Sequence, residues 1–198
     1  GELFKTPATA ITHQLVGMTK RLLRESLGDV DPDLRLAPSR LRNDEFFRRM
    51  GVLRRRLYLG EEFHALLRDL VVELGFDLGR VAFDPLRLRI VQGGGHHNPA
   101  AKAVYYPHRD TWYGNPKCQI NGWIPLHQVG PENSFRFYVD DFDRPVANDS
   151  AQFLAGDFQG RGGFGRVTPD RISVYPKATA TTDSAIWDVS MESDQVLL

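Results

Sequence analysis

Two residues with metal-ligand chemistry stand two apart near the middle of the chain. They are His108 and Asp110, within Tyr105-Tyr106-Pro107-His108-Arg109-Asp110-Thr111-Trp112. On an extended segment, residues two apart project to the same side, so this imidazole and carboxylate can reach one ion while Arg109 faces elsewhere. With a further imidazole from a distant strand they would make the two-histidine, one-carboxylate face that suits non-haem iron(II). Three ligands on one face leave positions for a bidentate 2-oxo acid and for dioxygen. The pair alone says little. Chance yields about half a His-x-Asp in a chain of this length and composition. The bland alternative is a histidine capping a turn beside a surface aspartate.

The surroundings add to it. The pair follows an aromatic segment, Ala103 to Tyr106, that reads as a strand, and it precedes a longer one, Cys118-Gln119-Ile120-Asn121-Gly122-Trp123-Ile124-Pro125-Leu126. In that strand Gln119, Asn121 and Trp123 share one face, with Cys118, Ile120, Gly122 and Ile124 on the other. A polar face with one aromatic suits the lining of a ligand cavity. Cys118 reads as a small core residue.

The elements that must hold this site fall into two textures. The first third reads as helical. Thr6-Pro7 offers an N-cap and a first-turn proline, Ile11, Leu15, Met18 and Leu22 recur at helical spacing, and Gly28 can stop the helix. A second helix starts at Asn43, with Asp44 and Glu45 at its positive end and a stripe of Phe46, Met50, Leu53 and Leu57. A third runs from about Glu61, with Phe63, Leu66, Leu67, Leu70, Val71 and Leu74 on one face and Gly75 after it. From about residue 80 the period changes to two. Arg87 to Gln92 alternates, and further strands are expected at Phe135 to Val139, Ile172 to Tyr175, Ala185 to Val189 and Gln195 to Leu198, separated by glycine and proline turns. Many short strands without helices between them predict an antiparallel barrel. The expected fold is therefore one domain, mainly β with N-terminal helices. A helical layer over about 6–79 packs on a jelly-roll, cupin-like barrel over about 80–198.

The stretch Tyr106-Pro107-His108-Arg109-Asp110-Thr111-Trp112-Tyr113-Gly114-Asn115-Pro116, with Gln119 to His127 and Pro131-Glu132-Asn133-Ser134 after it, resembles the phytanoyl-CoA dioxygenase-like family of Fe(II)/2-oxoglutarate-dependent oxygenases. The likeness is strongest over 105–150. It implies a double-stranded β-helix, iron(II) as metal, and 2-oxoglutarate and dioxygen as cosubstrates. Succinate and carbon dioxide are released, and an unactivated C–H bond of a small-molecule substrate is oxidised, most often hydroxylated. By this resemblance His108 and Asp110 are the first two metal ligands, and Trp123 lines the cosubstrate pocket. Gln119 and Arg89 join it as candidate cosubstrate contacts, the one on the same strand face, the other on the first barrel strand. Halogenases of this type replace the ligand carboxylate with a small residue, and Asp110 points away from that chemistry. The family places its second histidine, and then an arginine for the far carboxylate of 2-oxoglutarate, after a late strand like Gln195 to Leu198; a guanidinium suits that carboxylate through its paired donors. Neither residue occurs here, so the barrel is expected to be incomplete at its C-terminal side. A cupin-like metalloenzyme without 2-oxoglutarate and a non-catalytic binding module on the same barrel are the alternative readings.

The remaining features narrow the field. His127, or His96 and His97 after the glycines, could replace a missing ligand, though hydrogen bonding near a turn or a solvated loop suits them as well. His13 and His64 read as surface or packing residues. Gly93-Gly94-Gly95 lacks the lysine and Ser/Thr of a phosphate loop. The acidic run Asp140, Asp141, Asp143 and the glycine-rich stretch 156–165, with Arg161-Gly162-Gly163, read as parts of a long loop that can border a site. Formal net charge is +0, which does not suit a nucleic-acid binder. A single cysteine, Cys118, precludes an internal disulfide framework. No apolar run approaches the roughly 20 residues that span a bilayer, and Gly1-Glu2-Leu3-Phe4 lacks a secretory pattern. A cytoplasmic protein is expected.

Overall fold

Helix α1 (Ala10–Leu27) begins where Thr9 and Thr12 satisfy each other's end groups. Thr12 N–H donates to Thr9 Oγ1 at 3.3 Å and Thr9 N–H donates to Thr12 Oγ1 at 2.8 Å, a capping box with threonine at both positions. Thr6, the expected cap, lies instead in a short strand, β1 (Lys5–Thr6). Gly28 ends the helix, its N–H donating to the Arg24 carbonyl at 2.8 Å. In the computed structural model, residues 3–91, 94–97, 102–156, 175–180 and 183–198 are described.

After the one-turn α2 (Ala37–Arg40), helix α3 spans Asn43–Leu59 with Asp44 and Glu45 in its first turn. It buries Met50, Leu53 and Leu57 at intervals of three and four, the apolar stripe its sequence carries. Gly60 links it to α4 (Glu61–Glu73), which buries Phe63 and Leu70. Gly75 follows at φ 87°, a backbone state that glycine adopts without side-chain strain. Helix α1 packs on α3 and α4, and these pack on each other. Their core joins Leu15, Leu22, Leu27, Met50, Leu53, Leu57, Phe63 and Leu70, with Val196 from the far end of the sequence. Val196 belongs to β4 (Val196–Leu197), which pairs antiparallel with β1, Lys5 opposite Leu197 and Thr6 opposite Val196. This helical unit comprises residues 3–90, 122–129 and 190–198.

The second compact unit comprises the described residues within 91–121 and 130–189. Its described ladder is β2 (Arg136–Tyr138) against β3 (Ile186–Asp188), antiparallel. Cross-strand partners are matched in kind. Phe137 faces Trp187, the rings stacked at 5.8 Å, and Arg136 Nε lies 3.2 Å from Asp188 Oδ1. Phe135 and Phe142 extend the aromatic cluster around Phe137.

The mainly β jelly-roll expected from the sequence is not what forms. The described residues are about 41% helical and 9% strand, in two small two-stranded sheets with no barrel. The reason is clearest at residues 86–90. Leu86, Leu88 and Ile90 do alternate, but they lay their side chains on the helical core, while Arg87 and Arg89 point to solvent. An extended chain packed on helices has the same period of two as a strand, without a ladder. Ala103 to Tyr106 is likewise not a strand: Ala103 to Tyr105 lie in a 3₁₀ turn, Lys102–Tyr105, and Tyr106 follows it. The Cys118 to Leu126 segment carries only one bridge, Trp123 to Leu197. Cys118 is exposed rather than a core residue, and Ile120 is 58% exposed. Strands do form within Phe135 to Val139, Ala185 to Val189 and Gln195 to Leu198. Residues 172–174 of the strand expected at Ile172 to Tyr175 lie outside the described residues, as does the Arg161-Gly162-Gly163 stretch. Among the described residues, no helix is long and apolar enough to cross a membrane.

Candidate metal centre

His108 and Asp110 lie in the second unit, on a short extended run that enters a 3₁₀ turn, Asp110–Tyr113. Each side chain is held at one end and turned to the other residue at its other end. His108 Nδ1–H donates to the Tyr106 carbonyl at 2.7 Å. In the neutral ring this puts the proton on Nδ1 and the lone pair on Nε2, and Nε2 stands 3.5 Å from Asp110 Oδ1. The other carboxylate oxygen, Oδ2, accepts from Asn121 Nδ2 at 2.5 Å and from Gln119 Nε2 at 3.4 Å. Outer hydrogen bonds of this kind are what orient metal ligands. The side chains are 24% and 39% exposed.

The backbone that carries the pair is tied down on several sides. The Pro107 carbonyl accepts from Ala178 N–H at 2.8 Å, and the Arg109 carbonyl accepts from Trp112 N–H at 3.0 Å. The Arg109 guanidinium, turned away from the pair as the two-residue period requires, donates to the carbonyls of Asp141 and Arg144 and lies over the Trp112 ring. Tyr113 meets the His108 ring edge-on at 5.3 Å and is met in turn by Phe153. The 3₁₀ turn closes at Gly114, φ 82°, whose N–H donates to the Thr111 carbonyl. A side chain at that φ is strained. Gly114→Ala is therefore expected to lower stability by about 1–2 kcal/mol, read as a lower urea midpoint; an unchanged midpoint would show that the turn does not need this conformation.

The other expected site residues are placed as follows. Gln119 is at the pair, with its amide on the Asp110 carboxylate and on Asn121. Trp123 and Arg89 belong to the helical unit, Trp123 bridged to Leu197 and Arg89 exposed. His96 and His97 lie with their rings 3.8 Å apart and tilted at 45° in a 3₁₀ turn, Gly95–His97. His64 Nε2 bonds the Tyr58 carbonyl, and His13 Nδ1 lies 2.5 Å from Asp194 Oδ2. Among the described residues, no three His, Cys, Asp or Glu side chains are grouped as a metal site. The nitrogen and oxygen donors of His108 and Asp110 fit two corners of an iron(II) site. Asn121 was legible only as part of a polar strand face; its role follows from the distance to Asp110.

His127 lies in the helical unit. Burial, and then the Arg35 and Lys20 charges, hold its pKa below the usual 6.5. Protonation there is less favourable in the folded chain than in the unfolded one. Stability is thus full above about pH 6.5 and declines as pH falls through the lowered folded-state value. The fall in urea midpoint between pH 8 and pH 5 is expected to be smaller in His127→Gln than in the wild type; equal falls would remove His127 from the account.

No family model, no curated protein and no solved structure matches this chain.

Proposed function

We propose that the chain carries part of the metal centre of an Fe(II)/2-oxoglutarate-dependent oxygenase of the phytanoyl-CoA dioxygenase-like kind. It acts in the cytoplasm and oxidises a C–H bond of a small molecule. The observation that carries this reading is the His108–Asp110 pair, with Nε2 and Oδ1 3.5 Å apart and the opposite end of each side chain hydrogen-bonded. The support is local. It comes from the ligand pair and its outer contacts, not from the architecture, since the described residues form no barrel.

In this reading His108 supplies nitrogen and Asp110 oxygen to the metal. Iron(II), when bound, supplies the redox chemistry that couples decarboxylation of a 2-oxo acid to substrate oxidation. The chain's own residues hold the donors in place. The Tyr106 carbonyl orients the imidazole, Arg109 anchors the backbone between the ligands, and Tyr113 packs nearly at right angles against the His108 ring. Substrate recognition belongs to a small molecule with dioxygen, not to nucleic acid, in keeping with a net charge of +0.

Anaerobic titration of the protein with iron(II) and 2-oxoglutarate tests the reading. A weak visible charge-transfer band is expected, followed by succinate formation on admitting dioxygen. A protein that gives neither the band nor succinate is not an oxygenase of this class.

A further inference from the structure

We propose that Asn121 is a positioning residue that decides which oxygen of Asp110 is offered to a metal; the inference rests on the metal reading of the His108–Asp110 pair. A carboxylate turns readily about its last torsion, because that torsion has a broad, roughly two-fold profile. Asp110 is 39% exposed, so packing alone does not stop the turn. Its Oδ2 is instead held by the Asn121 amide at 2.5 Å, and more loosely by Gln119 at 3.4 Å. The orientation of the Asn121 amide is set in turn. Gln119 Nε2 donates to Asn121 Oδ1 at 2.7 Å, which sends the NH₂ group of Asn121 toward the carboxylate. The reverse orientation would set an amide oxygen against a carboxylate oxygen and a donor against a donor. Gln119, Asn121 and Asp110 thus form a directed chain of hydrogen bonds that ends with Oδ1 toward His108 Nε2.

The consequence is a carboxylate that gives one oxygen rather than two. Chelation by both oxygens would take an additional coordination position, one that an oxygenase needs for its cosubstrates. Asn121 acts through Asp110 and touches no reacting atom. Its side chain is exposed, so its removal should leave the fold intact.

Co(II) is the probe, titrated into the whole chain and followed by its visible bands, which weaken as coordination number rises. Asn121→Leu keeps the size and removes the donor. It is expected to weaken Co(II) binding about ten- to a hundredfold, the usual effect of losing an outer-shell partner, and to give weaker bands at saturation with an unchanged melting temperature. Gln119→Ala, which loosens the chain of bonds one step further out, is expected to shift the bands in the same direction. Asp110→Ala is expected to lose binding altogether. If Asp110→Ala loses binding while Asn121→Leu matches the wild type in affinity and bands, the positioning role falls and the metal pair stands. If Asn121→Leu weakens binding only together with a lowered melting temperature, Asn121 is structural and the proposal is overturned. If the wild type shows no saturable Co(II) binding, the metal reading itself fails and takes the inference with it.

Discussion

Replacing either His108 or Asp110 with alanine is expected to lower iron(II) affinity by more than about a hundredfold, the upper end of what an outer partner is worth. Both side chains are partly exposed, and their neighbours are held by backbone bonds that do not pass through them, such as Ala178 to Pro107. The loss should therefore come without unfolding. Anaerobic equilibrium dialysis against iron(II) measures the affinity, and circular dichroism on the same samples reports the fold. The double variant should be no worse than either single one, because a site with one donor left is already lost. Retained affinity in both single variants would mean that the 3.5 Å approach of Nε2 to Oδ1 is an ordinary polar contact near a turn.

The largest effect on stability is expected at Phe63. Its side chain is 1% exposed among Leu15, Met50, Leu53 and Leu57 in the helical core. Phe63→Ala removes a ring that its neighbours cannot fully close over and should cost about 3–5 kcal/mol. Phe47, a phenylalanine on the outward side of α3 and 65% exposed, is the control. Phe47→Ala should stay within about 0.5 kcal/mol of the wild type. Urea unfolding followed by far-ultraviolet circular dichroism gives both values. Comparable losses at the two positions would contradict the core assigned to α1, α3 and α4.

The helices were legible because their burial repeats locally. Met50, Leu53 and Leu57 announce a buried face within one element, and the acidic Asp44 and Glu45 mark its start. The strands were legible in part: Phe135 to Val139, Ala185 to Val189 and Gln195 to Leu198 contain β2, β3 and β4, while Arg87 to Gln92 misled, because a period of two describes any extended chain with one buried side. Leu86, Leu88 and Ile90 meet helices, not neighbouring strands, and no local pattern distinguishes the two. The cap at Thr9 was missed because Thr6-Pro7 carries the stronger local signal, yet Thr6 is recruited by a strand from the other end of the sequence. At the candidate site the same limit applies. The two-residue spacing put His108 and Asp110 on one side and Arg109 on the other, as the distances have it. That Gln119 and Asn121 reach back to Asp110 depends on how residues 111–118 fold, and so on the positive φ of Gly114, which spacing alone does not reveal.

The pairing of β1 with β4 sets an order of assembly. Thr6 and Val196 are 190 residues apart, and closing a loop of that length costs about 4–5 kcal/mol in chain entropy. The contacts among α1, α3 and α4 span far shorter separations and are expected to form first on that account. Val196 then completes a helical core that is otherwise already packed. The seam between β1 and β4 is therefore expected to close last, so the helical unit reaches its full core only after a ribosome has released Val196.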